Sequence, residues 1–80
     1  MANHQLELYT ITNCPYCLKV LRYMDEAGIE MPIHDAKANP EDRETLVRVG
    51  GKYQAPCLFI DGKAMYESDD IIAWLKENVA

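Results

Sequence analysis

Apolar and polar positions along the chain alternate in two rhythms, a short two-residue beat and a longer helical one. Leu6 to Ile11 alternates loosely and carries β-branched residues, which predicts a strand. Thr12-Asn13-Cys14-Pro15 then reads as a turn that opens a helix. Thr12 and Asn13 are capping candidates, and Pro15 suits a first helical turn, where its missing N–H costs nothing. Cys17, Val20, Leu21 and Met24 share one face of that helix, and Gly28 ends it. Glu30 to Ala36 is a weaker strand pattern, with Met31 and Ile33 on one side. Asn39-Pro40-Glu41-Asp42 is a strong helix start, and that helix carries Leu46, Val47 and Val49 before Gly50-Gly51 stops it. Cys57 to Ile60 is a short apolar run, read as a buried strand. Asp61-Gly62 is a hairpin turn, and Lys63 to Tyr66 is the returning strand. Ser68-Asp69-Asp70 caps a last helix whose core face is Ile71, Ile72, Leu75 and Val79.

The element order is therefore β-α-β-α-β-β-α. The first two strands flank a helix and should pair in parallel through a right-handed crossover, while the hairpin adds an antiparallel edge. An α/β architecture follows, with a four-stranded mixed sheet flanked by helices. A Cys-x-x-Cys pair after the first strand makes this the layout of a thioredoxin-like fold. Neither a linker nor an internal repeat interrupts the pattern, so residues 1–80 are expected to form a single domain.

Composition narrows the function classes. Hydrophobic residues make up 49% and charged residues 26%, an ordinary globular balance. A formal net charge of −5 without a basic run argues against nucleic acid as a partner. No stretch has the length of a membrane span, and the polar start Met-Ala-Asn-His-Gln lacks the apolar run of a signal peptide. Three cysteines are too few for a disulfide-stapled scaffold. A reducing cytoplasm is the simplest expectation, and there a Cys-x-x-Cys pair is more often catalytic or metal-binding than structural. A monomer is expected.

Thiol–disulfide exchange needs a thiolate. Cys14 stands where a helix begins, and the unpaired N–H groups and dipole of a helix start favour negative charge. Lys19 and Arg22 on the same helix add a weaker, screened field. Cys17 lies about one turn on, within disulfide reach. Cys14 is thus read as the exposed nucleophile and Cys17 as the resolving thiol, with Tyr16 shaping the entrance. Two bland readings compete: half of a zinc site, completed from Cys57, His4 or His34, or a pair of structural cysteines.

Cys14-Pro15-Tyr16-Cys17, after a strand ending Leu8-Tyr9-Thr10, resembles the active site of dithiol glutaredoxins. Ala55-Pro56 before Leu-Phe-Ile resembles the family's cis-proline segment, and Ser68-Asp69-Asp70 resembles its Cys-Asp-Asp segment. The likeness spans nearly the whole chain. It implies a thiol–disulfide oxidoreductase that reduces protein disulfides or glutathione mixed disulfides, with glutathione as co-substrate and no metal. It also implies that the backbone of Ala55 pairs with the glutathione cysteine and that Pro56, in a cis bond, packs beside the cysteine pair. The N–H groups of Ser68 and Asp69 would take the γ-glutamyl carboxylate, and the Asp69 side chain the amine.

The pattern also departs from the family. Ile11 stands where many members have a lysine for the glycine carboxylate, with Lys52 a candidate replacement. Tyr66-Glu67 replaces the usual Gly-Gly. Glu67-Ser68 instead resembles the Glu-Ser pair that contacts the γ-glutamyl group in glutathione transferases, although the helical second domain of those enzymes is missing. An electron donor fed by thioredoxin reductase, and an iron–sulfur or zinc carrier, are the alternative functions. Cys57 is expected to pack as a small hydrophobe. Tyr53 and Trp74 could line a groove, His34 reads as a surface residue, and Glu41, Asp42, Glu44 and Glu77 as solvated helix faces.

Overall fold

The structure, a computed structural model, describes residues 4–79; the first three residues of the polar N-terminal start, and residue 80, lie outside the described residues. The elements run β1 (Leu6–Thr10), α1 (Pro15–Ala27), β2 (Ile33–Asp35), α2 (Pro40–Gly50), β3 (Cys57–Ile60), β4 (Lys63–Met65) and α3 (Ser68–Asn78). The sheet has four strands in the order β2-β1-β3-β4. β1 pairs in parallel with β2, Leu8 opposite Ile33, and antiparallel with β3, Leu8 opposite Leu58. β4 returns antiparallel to β3 through the Asp61-Gly62 turn. This is the mixed α/β, thioredoxin-like arrangement that the order of elements implied.

The two-residue period of the strands divides the interior into two clusters. Leu8 and Leu58 point to one face, where Val20, Met24, Ile29, Ile71 and Leu75 from the α1 and α3 side close over them. Tyr9, Cys57 and Phe59 point to the other, where they meet Ala36, just after β2, and Leu46 of α2. Cys57 is fully buried, as a small core residue should be.

Local signals explain the ends of the helices. Gly28 takes the left-handed conformation, φ 70°, that a helix C-terminus favours. The N–H groups of Gly28 and Ile29 then close back on the carbonyls of Asp25 and Met24. At α2, the Asn39 side chain accepts from the Glu41 N–H at 3.1 Å and Pro40 opens the helix.

Several expectations need correction. Thr12 and Asn13 do not cap α1. Cys14 occupies the cap position without a side-chain bond, Asn13 turns the chain at φ 65°, and the Thr12 hydroxyl donates instead to the Asp35 carboxylate. Ser68 does not cap α3 either; Glu67 holds that position at φ 73°, and Ser68 is a buried first helical residue. β2 is shorter than Glu30–Ala36 because Pro32, which has no N–H to give a ladder, precedes Ile33. Of the α2 apolar residues only Leu46 is buried, since Val47 and Val49 turn outward, and Val79 is likewise exposed at the end of α3. His34 is no bare surface residue. Its ring stacks on Tyr9 at 4.6 Å, Nε2 lies 2.9 Å from Glu7 and Nδ1 3.3 Å from Asp42.

Candidate active site

Three chain segments distant in sequence converge at the α1 N-terminus. β1 delivers the turn at 11–14, and the Cys14 N–H donates to the Ile11 carbonyl at 3.2 Å. The Ala55–Pro56 bond is cis. The Ala55 carbonyl lies 3.7 Å from Cys14 Sγ, a weak S–H···O contact. α3 supplies the third wall with Glu67, Ser68 and Asp69.

Access separates the two thiols. Cys14 is half-buried, whereas Cys17 is 2% exposed. Burial pushes the Cys17 thiol up to about 12, with the neighbouring Cys14 and Asp35 adding to the rise and the backbone of Ile11 opposing it. Cys17 is therefore a neutral thiol at pH 7. Cys14 is thus the thiol of the pair that solvent reaches, with Cys17 shut behind it. Burial likewise raises Cys57, to about 11, and the Tyr66 hydroxyl faces it. Cys57 packs on the α2 side of the sheet. Among the described residues, no group of three or more His, Cys, Asp or Glu is placed to hold a metal.

A cleft of about 270 Å³ opens beside Cys14, lined by Tyr16, Gln54, Ala55, Pro56, Glu67, Ser68 and Asp69. Six of these seven residues were singled out from the sequence. Gln54 was missed, although a side-chain amide next to the Ala-Pro pair was the available signal. Tyr16 stands 64% exposed. No side chain caps α3 among the described residues, and Ser68 and Asp69 of its first turn line the cleft.

Two cation expectations resolve differently. The Lys52 ammonium sits 4.6 Å over the Tyr66 ring, and the Tyr66 hydroxyl donates to the Lys52 carbonyl at 3.0 Å. Lys52 does not line the cleft. Lys19 reaches across to pair with Asp69, the side chain expected to meet the glutathione amine. Both partners are well exposed, so the pair is worth little and opens readily to a competitor. Arg22 lies eight residues along from Cys14, roughly 12 Å of helix rise and beyond a Debye length at 0.1 M salt, so its field at the sulfur is weak. Tyr53 lies under Arg43 and Trp74 packs against the α1–α3 cluster, so neither lines this cleft.

Comparison with known proteins fits this geometry. The glutaredoxin family model matches residues 6–65. A protein of Synechocystis sp. described as a probable glutaredoxin is 33% identical over 70 residues, covering 86% of this chain and 80% of that one. Glutaredoxin 3 of Escherichia coli K12 is 30% identical over 73 residues, covering 91% of this chain and 86% of its own. Among solved structures, a thioredoxin-like protein superposes with a TM-score of 0.79 at 23% identity, over 94% of this chain and 99% of that one. A buckwheat glutaredoxin–glutathione complex superposes with a TM-score of 0.71 at 21% identity, over 92% of this chain and 70% of that one. A buried thiol behind an accessible one, at a strand-to-helix turn within a matching sequence, leaves one assignment: the chain belongs to the glutaredoxin family of thiol–disulfide oxidoreductases.

Proposed function

We propose that the protein reduces glutathione mixed disulfides and protein disulfides with glutathione as its electron source, Cys14 being the nucleophile. The observation that carries this reading is the cleft beside Cys14, which offers a ligand partners at both ends. The unbonded N–H groups of Ser68 and Asp69 suit a carboxylate, and the carboxylates of Glu67 and Asp69 suit an amine. The Ala55 backbone suits a peptide strand laid beside it. The Gln54 amide adds a hydrogen-bonding group to the lining. Glutathione carries all three chemistries, and the buckwheat relative is a glutaredoxin–glutathione complex.

The electron flow balances in two steps for a mixed disulfide. The Cys14 thiolate attacks the glutathione sulfur, forms a Cys14–glutathione disulfide and releases the protein thiol. A second glutathione thiolate then attacks the bound glutathione sulfur, leaving oxidised glutathione and free Cys14. For a protein disulfide, Cys14 forms a mixed disulfide with one substrate sulfur. Cys17 gives up its proton, attacks Cys14 Sγ and releases the substrate dithiol. Two glutathione molecules then reopen the Cys14–Cys17 bond. A reducing compartment such as the cytoplasm suits this cycle.

The test is glutathione-dependent turnover of a small mixed disulfide and of a protein disulfide. Cys14→Ser should abolish both, and Cys17→Ser should spare the first and impair the second. Full activity of Cys14→Ser would overturn the assignment. A second reading, an electron donor reduced by thioredoxin reductase, draws on the Lys19–Asp69 pair and on Ile11, which both leave the glutathione site less complete. Turnover with that reductase and none with glutathione would select it.

A further inference from the structure

α1 and α3 enclose a second concavity of about 510 Å³, which shares no lining residue with the cleft. It begins at Pro15, the residue after the nucleophile, and runs past Leu18 and Arg22 of α1 and Ile72 and Lys76 of α3. Its chemistry runs against that of the molecule. The chain has 8 Lys and Arg against 13 Asp and Glu, yet Lys19, Arg22 and Lys76 all line this one groove, with Glu26 its single acid. Leu18 lies 60% exposed among them. The Lys76 ammonium is 5.6 Å from the centre of the Tyr23 ring, so it lies along the groove. The cleft described above is acidic, with Glu67 and Asp69 in its lining. Lys19 of this groove pairs with Asp69 of that cleft, so Arg22 and Lys76 carry the groove's excess positive charge.

We propose that the α1–α3 groove docks the disulfide-bearing protein substrate, through an acidic segment with an apolar side chain that covers Leu18. This rests on the reading that protein disulfides are substrates, and not on glutathione as the reductant. Charge complementarity carries it: cations gathered in one groove attract an anionic partner at encounter and fix its approach. The net charge of −5 predicts the opposite preference, because the molecule as a whole repels anions. The sign of the preference therefore separates local docking from the bulk field.

The experiment follows single-turnover reduction by the pre-reduced protein, without glutathione. The probes are two peptides that share one disulfide loop, one flanked by Glu and Leu and the other by Lys and Leu. The Glu-flanked peptide should react roughly tenfold faster at low ionic strength, and the ratio should collapse toward unity at high salt. Lys76→Glu should cut the preference several-fold, and Leu18→Ser should slow both peptides about threefold. Both variants alter exposed side chains, and turnover of a small glutathione mixed disulfide should stay within about twofold in each. Equal rates for the two peptides, faster reaction of the Lys-flanked one, or a preference untouched by Lys76→Glu would overturn the proposal. Loss of the glutathione reaction in the unmodified protein, with the peptide preference intact, would count against glutathione alone and leave the groove standing.

Discussion

The difference in access between the thiols comes from burial. Cys14 and Cys17 are three residues apart, yet one is accessible and the other is 2% exposed. Limited alkylation of the native, reduced protein followed by mass spectrometry should label Cys14 well before Cys17 or Cys57. Labelling of all three at similar rates would contradict the geometry. Burial also fixes the sign of an alkaline effect. Cys17 and Cys57 are raised to about 12 and about 11 from an ordinary value of 9.0. Between pH 9 and 11 the unfolded chain therefore releases thiol protons that the folded one keeps. The associated stability is complete below pH 9 and is lost as pH rises through that window. Tyr9 and Tyr66, both raised chiefly by burial, extend the loss above pH 10. The thermal midpoint should fall across this range, and Cys57→Ala, less stable at pH 7, should show the shallower fall. A flat midpoint would contradict this. His34 shows what one residue's neighbours in sequence conceal: its stacking and ion partners, Tyr9, Glu7 and Asp42, lie on β1 and α2.

At the scale of elements, the sequence was most legible where a residue type has few alternatives. Gly28, Asn39-Pro40 and Asp61-Gly62 each mark the boundary that the structure places there. The caps of α1 and α3 were misread because Asn13 and Glu67 adopt positive φ, which for Glu67 no local preference suggests. Val47 and Val49 satisfy a helical pattern yet remain outside, since coverage of a face depends on what packs over it. The Lys19–Asp69 pair, fifty residues apart, was likewise beyond local reading. The contact between α2 and β4 yields a sharp test. A β-carbon at Gly50 would collide with the Tyr66 hydroxyl, which the Lys52 carbonyl holds in place. Gly50→Ala should destabilise by about 1–2 kcal/mol despite its better helix propensity. In a Tyr66→Phe background the obstructing oxygen is gone, and the same change should become neutral or stabilising by up to about 1 kcal/mol. Equal effects in both backgrounds, read from denaturant unfolding, would refute the collision.

For the whole molecule, the fold was readable because the order of strands and helices, with one Cys-x-x-Cys turn, admits few topologies. The second concavity was not, since Leu18, Arg22, Ile72 and Lys76 come together only when α1 and α3 pack side by side. The sheet also keeps the Leu8–Leu58 cluster apart from the Tyr9–Phe59 cluster. Residues that share no neighbours respond independently to substitution. Ile71→Val and Leu46→Met lie on opposite sides of the strands, so their combined cost should equal the sum of the separate costs to within about 0.5 kcal/mol. Ile71→Val with Leu75→Met, within one cluster, should depart from that sum. An evolving or engineered lineage can thus rebuild one side of this protein without renegotiating the other.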